Sequence, residues 1–412
     1  MLVKTRERDK NNLPKDYILT IARSIEEINS LRNIWEEFQS RPNSDIDHYL
    51  HVITEDKSVI RPHVTLLQHG GKPVALAVGR IECERFSCKF GYKIIYAPLV
   101  KTLGIVYDGL LGDFSIDNSR IILDSLLQTM RIENLELIRF TYLRIDSPMY
   151  ELVKNYSSVL TRDHLKSPSI HWRMDVPENI KGFYSSRSRK HRYWLNRIRK
   201  VLETEFPGQV HYKIYTDEQD IDELIVNAES VARKTYQWGL GQAFRDSPEM
   251  RKRLRAFVER KQLRAYILYI RDDPSAFWLG RRYGNTFYLN LTGYDPEYKK
   301  YELGTILFIN MLQDIAENTN IDYIDFGFSD QPYKARFGNE CWEEEDVYLF
   351  AASWRGLRLN IIRTVIGACW VYTGGMLNKL GIKDKIKRLI RDRLINGLKK
   401  RSNGKNPENS ES

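Results

Sequence analysis

The residues best suited to chemistry lie in one stretch, 286–338, whose pattern is strand, loop, helix, strand and loop. Gly304 begins the helical part, and apolar residues follow it at helical spacing. The free N–H groups and the dipole at a helix start favour a phosphate, and a glycine there lets a ligand approach the backbone. Lys299 and Lys300 add positive charge just before this turn. The segment therefore predicts a phosphate-binding turn, with an ordinary turn as the alternative.

This stretch belongs to the second copy of an order of elements that occurs twice in the chain. The segments LLQHGGKPVALAVGR, from Leu66, and YIRDDPSAFWLGRR, from Tyr269, each predict a strand, a tight turn and a second strand. Pro73, Gly79 and Arg80 of the first segment have identical counterparts 201 residues later. A helical pattern precedes each hairpin, and a helix and a strand come after it. This order predicts an α/β (α+β) fold of two domains, each a mixed sheet flanked by helices.

Prolines at 168 and 177 interrupt regular structure and place the joint between the two domains near 167–181. We expect a disordered N-terminus over 1–16, a first domain over 17–175, a second domain over 176–352, a basic amphipathic tail over 353–401 and a disordered end over 402–412.

The composition excludes several classes of protein. Hydrophobic residues make up 42% of the 412 residues, which suffices for packed cores and excludes wholesale disorder. Four cysteines are too few for a small disulfide scaffold and suit a reducing compartment. The eight histidines lack the spacing of metal ligands, so no metal site is expected. The charged N-terminal residues lack the apolar region of a Sec-type signal peptide, so we expect a cytoplasmic protein.

The C-terminal tail carries much of the net charge of +10. The stretch 383–401 holds nine basic residues against two acidic ones, a balance of 9 − 2 = +7, with apolar residues at helical spacing. Such a helix is typical of contact with an anionic membrane surface, here the inner face of the membrane. The alternative is a helix docked on the protein's own core with its charges in solvent.

A second basic cluster lies at 187–200, again with apolar residues at helical spacing. Its face favours an anionic ligand such as a phosphorylated substrate or cofactor, with Arg189 and Arg192 as candidate contacts. A merely solvated face is the equal alternative. No recognised nucleic-acid-binding motif surrounds the helix, so no DNA is expected as a partner.

The turn at Gly304 resembles the pyrophosphate loop of the GNAT acyltransferases, which has the pattern Arg/Gln-x-x-Gly-x-Gly/Ala before a helix. Lys299 takes the first position and Gly304 the last, while Glu302 stands at the position of the first glycine.

The wider pattern resembles the tandem-GNAT relatives, namely the CelD-type polysaccharide acyltransferases and the FemAB-type aminoacyltransferases. The shared features are a Tyr-Asp-Pro loop at 294–296, an Asp-Phe-Gly strand end at 325–327 and a following Tyr-Lys at 333–334. The basic segment SRSRKHRYWLNRIRK also resembles the CelD-type pattern. The resemblance is specific over 183–337 and only architectural over the first domain.

The resemblance implies two tandem GNAT-like domains and an acyltransferase. Its donor would most simply be acetyl-CoA, a co-substrate rather than a tightly bound cofactor, and its acceptor a sugar or amino group in cell-envelope or exopolysaccharide synthesis. The donor contacts that the resemblance and the turn imply are Asn290, Leu291, Thr292, Lys299, Lys300, Leu303, Gly304 and Thr305.

Acyl transfer requires a base for the acceptor, donors for the developing oxyanion and an acid for the leaving group. The resemblance implies Tyr333 as the acid, because it follows the strand after which the family often keeps that residue. Asp330 is the first candidate for the base, ahead of Glu302 and Asp295, and deprotonation through water is the alternative. Lys334 and Arg336 are candidates for gripping a phosphate or carboxylate of the substrate, or form a solvated pair.

Two other functions stay open at this point. The first is a FemAB-type transfer that depends on aminoacyl-tRNA. The second is a non-catalytic partner protein held at a membrane by the basic tail, which the glutamate at 302 favours.

Overall fold

The computed structural model describes residues 16–379 except 92, 157 and 240. Within these residues the chain forms two compact units. Unit 1 contains the chain up to Ile170 together with Trp342–Lys379, and unit 2 contains His171–Cys341. The predicted basic helix at 383–401, the predicted disordered end and nearly all of the predicted disordered N-terminus lie outside the described residues.

The elements follow in chain order. The strands are β1 (Tyr17–Ala22), β2 (Val59–His69), β3 (Lys72–Arg85), β4 (Cys88–Phe90), β5 (Lys93–Tyr96), β6 (Leu99–Gly112), β7 (Leu137–Arg144), β8 (Ser169–Asp175), β9 (Val210–Tyr215), β10 (Leu263–Ile270), β11 (Asp273–Tyr283), β12 (Thr286–Tyr294), β13 (Tyr323–Phe328) and β14 (Glu340–Phe350). The helices are α1 (Ile25–Ser30), α2 (Arg32–Phe38), α3 (Ile46–Glu55), α4 (Ile116–Ile132), α5 (Pro148–Lys154), α6 (Ile180–Ser185), α7 (Arg189–Glu205), α8 (Ile221–Lys234), α9 (Tyr236–Gly239), α10 (Pro248–Glu259), α11 (Leu303–Asn318), α12 (Pro332–Phe337) and α13 (Trp354–Lys379). Short 3₁₀ helices cover Glu218–Asp220 and Pro296–Tyr301.

Each unit contains a mixed sheet. Unit 1 has the strand order β1-β2-β3-β6-β7-β14, and unit 2 has the order β8-β13-β12-β11-β10-β9. In each sheet one helix joins two strands that run parallel: α4 lies between β6 and β7, and α11 lies between β12 and β13. Helices flanking a mixed sheet confirm the predicted α/β fold class.

Strand β10 shows why helices pack on both faces of the unit 2 sheet. Its sequence is almost entirely apolar, and successive side chains of a strand point to opposite faces. Tyr266 and Leu268 pack into the cluster that contains α11, whereas Ala265 and Ile267 pack into the cluster that contains α8. Both faces must therefore be covered.

The two copies of the internal repeat also shift register at equivalent positions of their strands. The β2–β3 hairpin shifts register between Leu67 and Gln68, and the β10–β11 hairpin shifts between Leu268 and Tyr269, again 201 residues apart. Gly280 has no room for a side chain, because an added Cβ would lie 2.5 Å from both the Phe287 ring and a backbone oxygen. The two hairpins thus share identical residues and a register shift at equivalent positions.

The end of the second domain differs from the expected boundary at 352. Strand β14 lies in the sheet of unit 1, where it pairs antiparallel with β7 and sets Leu349 opposite Ile138. Val347 and Leu349 are fully or almost fully buried in the core of that unit. The apolar side chains of β14 complete the unit 1 core, a long-range pairing that local sequence patterns do not reveal.

Two further local differences concern helices. The helical pattern before the first hairpin forms two helices, α1 and α2, which meet at Leu31. Ser24 caps α1, since its Oγ accepts a hydrogen bond from the Glu27 N–H at 3.2 Å. The first part of the expected tail forms helix α13, which packs on unit 1 through the buried Leu359. Among the described residues, no helix has the length and apolar character needed to cross a bilayer.

Candidate functional site

The parallel strands β12 and β13 separate after three residue pairs. Pairing ends at Tyr288 and Asp325, and beyond these residues β12 follows β11 to Tyr294 while β13 follows β8 to Phe328. A wedge thus opens between the two strands. In the described part of the chain, no strand pairs with the edge of β12 that faces this wedge.

A β-bulge on each strand coincides with the separation. On β12, Leu289 and Leu291 pair with consecutive residues of β11, so that Asn290 is the extra residue and is exposed. On β13, Phe326 is the extra residue opposite β8. Bulges increase the local twist and bend a strand, which accounts for the divergence. The predicted donor contacts Asn290, Leu291 and Thr292 lie along the wedge, and their role in binding stays a prediction.

Helix α11 begins next to the end of β12. Glu302 caps it in the left-handed region, with φ of 55°, and the N–H groups of Thr305 and Ile306 both donate to the Glu302 carbonyl. Within the described residues, the N–H groups of Leu303 and Gly304 have no acceptor. A Cβ added at Gly304 would meet only the Tyr294 ring, 3.9 Å away. The helix start therefore offers two free donors beside open space, which is the geometry an anionic group requires.

Of the two lysines before this turn, Lys300 is paired with a carboxylate outside the predicted donor contacts. Lys300 Nζ lies 3.0 Å from the Glu205 carboxylate at the end of α7, and this carboxylate also accepts from the Tyr301 hydroxyl. Lys300 is thus drawn away from the helix start by an exposed ion pair, whereas Lys299 is exposed. Thr305 is buried, so its side chain packs inside the unit rather than facing a ligand.

Tyr333 lies in the first turn of α12, which follows β13 after a short loop. Its ring packs edge-on against Trp278 at 5.4 Å and against Phe326 at 6.2 Å between centroids. Burial raises the pKa of Tyr333, so its hydroxyl keeps the proton at physiological pH. No group of the described chain hydrogen-bonds this hydroxyl. A protonated phenol without an internal partner is available to donate to a ligand.

Trp278 connects the predicted acid with the helix start. Its indole Nε1 donates to the Gly304 carbonyl at 3.0 Å, and its ring contacts Tyr333. One side chain on β11 therefore fixes the predicted phosphate-binding turn beside the predicted proton donor. Sequence reasoning missed Trp278, because nothing in its surroundings distinguishes it from a core tryptophan.

The structure corrects the expected role of Lys334. Its side chain is buried, and the ammonium donates to the Phe328 carbonyl and, at 3.2 Å, to the Gly327 carbonyl. Burial lowers the pKa of Lys334 to about 8. Lys334 therefore clamps the end of β13 instead of gripping a substrate from the surface. Asp330, the first candidate for the base, is exposed on the loop between β13 and α12.

Of the remaining arginine candidates, two contact neighbouring residues of the protein and one is exposed. Arg192 donates to the Arg187 carbonyl at 3.0 Å, and Arg336 stacks on Trp194, with 4.6 Å from guanidinium carbon to ring centroid. Both residues thus support the fold around α7. Arg189 is exposed in the first turn of α7, on a face that it shares with Lys190 and Arg197.

A buried histidine–carboxylate pair lies at the base of the wedge. His171 Nε2, on β8, lies 2.7 Å from Asp325 Oδ1, and the same oxygen accepts from the Gly327 N–H at 2.8 Å. Asp325 thus ties the β13 bulge to β8. Sequence reasoning missed this pair, since the two residues are 154 positions apart and neither lies in a motif with the other.

Comparisons with known proteins agree with this geometry. Residues 189–335 match the family model described as an acetyltransferase (GNAT) domain. Among solved structures the chain is similar to FemX, with 12% identity over 78% of this chain and 96% of that chain and a TM-score of 0.52. Among curated proteins, no sequence matches the chain.

Two further solved structures are more distant. One is a tandem GNAT protein from the clavulanic acid biosynthesis pathway, with 13% identity over 81% of this chain and 98% of that chain and a TM-score of 0.45. The other is L-PGS from Bacillus licheniformis, with 11% identity over 84% and 97% and a TM-score of 0.43. Residues 189–335 thus match a GNAT acetyltransferase domain, and the chain as a whole shares its fold with FemX.

Proposed function

We propose that unit 2 transfers an acyl group, most simply acetyl from acetyl-CoA, to a sugar or amino acceptor in cell-envelope or exopolysaccharide synthesis. The observation that carries this proposal is the wedge between β12 and β13, beside which Trp278 contacts both the open start of α11 and the Tyr333 ring. The acceptor class comes from the CelD-type resemblance. We propose a cytoplasmic enzyme that works at the inner face of the membrane.

In this proposal, separate residues of unit 2 bind the donor, orient its acyl chain and transfer protons. The free N–H groups of Leu303 and Gly304 hold the diphosphate of the donor. The backbone of β12 from Asn290 to Thr292 orients the acyl chain along the wedge. The donor supplies an activated thioester, and the Tyr333 hydroxyl protonates the sulfur that leaves. Asp330 remains the candidate base, and its exposure is also compatible with proton loss to water.

Calorimetry with acetyl-CoA tests the donor site, and Gly304→Val is the decisive variant. The valine side chain would fill the open space beside the two free N–H groups. We expect a dissociation constant higher by roughly ten- to a hundredfold, because a hydrogen bond to a charged group contributes about 1.5–3 kcal/mol. The fold should persist, since an added Cβ has no contact below 3.9 Å.

Gly182→Val is the matched control for this test. Gly182 is an exposed glycine in the first turn of α6, and an added Cβ there would meet its nearest neighbour at 3.8 Å. This variant should bind acetyl-CoA as the unmodified protein does. Unchanged donor affinity in Gly304→Val would refute the assignment of the donor site.

The exposed basic side chains of α7 favour a second candidate, a transfer that depends on aminoacyl-tRNA. Arg189, Lys190, Arg197 and Lys200 are all exposed on this helix, and the resemblance of 183–337 to the FemAB-type aminoacyltransferases favours such a function. Salt distinguishes the two candidates. A protein that contacts 6–10 phosphates loses about 10³–10⁵ in affinity between about 50 and 200 mM salt. A donor with few phosphates shows a much weaker dependence.

A further inference from the structure

The outer face of α13 presents an apolar line to solvent. Trp354, Ile361, Val365 and Tyr372 follow one another at intervals of seven, four and seven residues, which places them within about 40° of one another around the helix. They are 79%, 59%, 55% and 70% exposed. The opposite face packs on unit 1 through the buried Leu359. Since the solvent face of a helix on a folded domain is normally polar, this apolar line requires a partner.

The ribbon of β4 and β5 packs against the inner face of the same helix. Trp370 of α13 packs edge-on against Phe90 of the ribbon, with 5.4 Å between ring centroids. On α13, Trp370 lies about 160° around the helix from Trp354, so the ribbon packs on the face opposite the apolar line. We call the apolar line itself the α13 surface: Trp354, Ile361, Val365 and Tyr372.

The charge around this surface is positive. Helix α13 contains no acidic residue along its 26 residues, and neither β4 nor β5 contains one. Arg358 is exposed about 40° around the helix from Trp354, beside this line. The sequence that follows α13 is also basic, with nine basic and two acidic residues over 383–401.

The positive charge of this surface favours a negatively charged partner. A second copy of the chain would bring the same positive charges face to face, and the chain's own basic C-terminal segment would do so as well. An anionic bilayer supplies the opposite charge at its surface and an apolar layer just beneath it. Trp354 and Tyr372 stand at the two ends of the line, and these two residue types favour the membrane interface.

We propose that the α13 surface binds the face of an anionic lipid bilayer, with α13 lying parallel to the membrane plane. Its apolar side chains enter the boundary between headgroups and acyl chains, and Arg358 beside them contacts the anionic headgroups. This inference goes beyond acyl transfer. It rests on the proposed location at the membrane but uses no residue of the donor site, so that loss of vesicle binding and loss of acetyl-CoA binding are separate outcomes.

Co-sedimentation of the full chain with vesicles tests the proposal. One vesicle contains equal parts of phosphatidylcholine and phosphatidylglycerol, and the other contains phosphatidylcholine alone. The unmodified protein should bind the anionic vesicles and bind the neutral ones much more weakly. The double variant Ile361→Asp/Val365→Asp should lose roughly tenfold or more in partitioning to anionic vesicles, because it places two negative charges on the face of the helix that is proposed to enter the bilayer.

Val226→Asp is the matched control, since Val226 is 63% exposed on α8 of unit 2. It should bind vesicles as the unmodified protein does, and both variants should bind acetyl-CoA normally. Binding of the double variant at the unmodified level would overturn the proposal, as would failure of the unmodified protein to bind anionic vesicles. A dimer in solution that the double variant abolishes, seen by analytical ultracentrifugation, would assign the surface to a second copy instead.

Discussion

Tyr333 is the side chain whose surroundings best suit a proton donor. Its ring is held by Trp278 and Phe326, and burial raises its pKa. A raised pKa makes the phenol a weaker acid but ensures that it carries its proton whenever a thiolate leaves.

Tyr333→Phe should lower kcat by about 10²–10³-fold and leave KM nearly unchanged, because general-acid catalysis contributes about 10²–10⁴-fold. Steady-state kinetics with acetyl-CoA and an accepted acceptor measure both constants. The thermal midpoint should change little, since the hydroxyl has no hydrogen-bond partner in the described part of the chain. An unchanged kcat would remove Tyr333 from the mechanism.

Lys334 makes the stability of unit 2 depend on pH. In the folded chain its pKa is lowered from 10.5 to about 8 by burial, so between these values the unfolded chain holds a proton that the folded chain has released. Stability therefore rises with pH through this window and carries the full cost of the buried ammonium below it.

Lys334→Met should remove this rise. The difference in unfolding free energy between the unmodified protein and the variant should change by at most about 3 kcal/mol across the window. Urea unfolding on both sides of the window measures it, with the exposed Lys299→Met as control. Parallel pH profiles for the unmodified protein and Lys334→Met would show that the ammonium is not desolvated.

At the scale of elements, each of the two hairpins contains a glycine, and the two glycines differ in how much space surrounds them for a side chain. An added Cβ at Gly280 would lie 2.5 Å from a backbone oxygen and from the rigid Phe287 ring. At Gly79 the nearest atom, 2.9 Å away, is the flexible end of Ile105, with backbone oxygens at 3.1 and 3.2 Å. Substitution by alanine therefore causes a more severe steric clash at Gly280 in unit 2 than at Gly79 in unit 1.

Gly280→Ala should destabilise unit 2 by about 2–3 kcal/mol, whereas Gly79→Ala should cost unit 1 about 1 kcal/mol. Hydrogen exchange in β10 and β11, compared with β2 and β3, reports each unit separately. Equal losses of protection in the two variants would contradict the difference in packing.

At the scale of the molecule, unit 1 is completed only by the chain that follows unit 2. Strand β14 pairs with β7, and its Val347 and Leu349 are part of the unit 1 core. The stretch 17–175 therefore lacks a strand of its own sheet.

A chain that ends at Cys341 should lose the fold of unit 1 and keep that of unit 2. Its β7 would present an unpaired edge and an open core, which favours aggregation. Hydrogen exchange should show unprotected amides in β6 and β7 and protected ones in β10 and β11. Protection of β7 equal to that in the full chain would show that β14 is dispensable.

The sequence by itself determined the features that neighbouring residues encode. The repeat, the α/β order and the glycine turn at Gly304 all depend on spacings of a few residues, such as the helical period after Gly304 and the register of the hairpins. These patterns reflect local backbone geometry, so they could be predicted without any contact.

Only the tertiary structure decided which distant side chains meet. It joined Trp278 to Tyr333 and His171 to Asp325, buried Lys334 against its own loop and returned β14 to unit 1. It also left the apolar line of α13 on the outside. Such contacts depend on chain topology and on the summed packing of a whole unit, which no local spacing records.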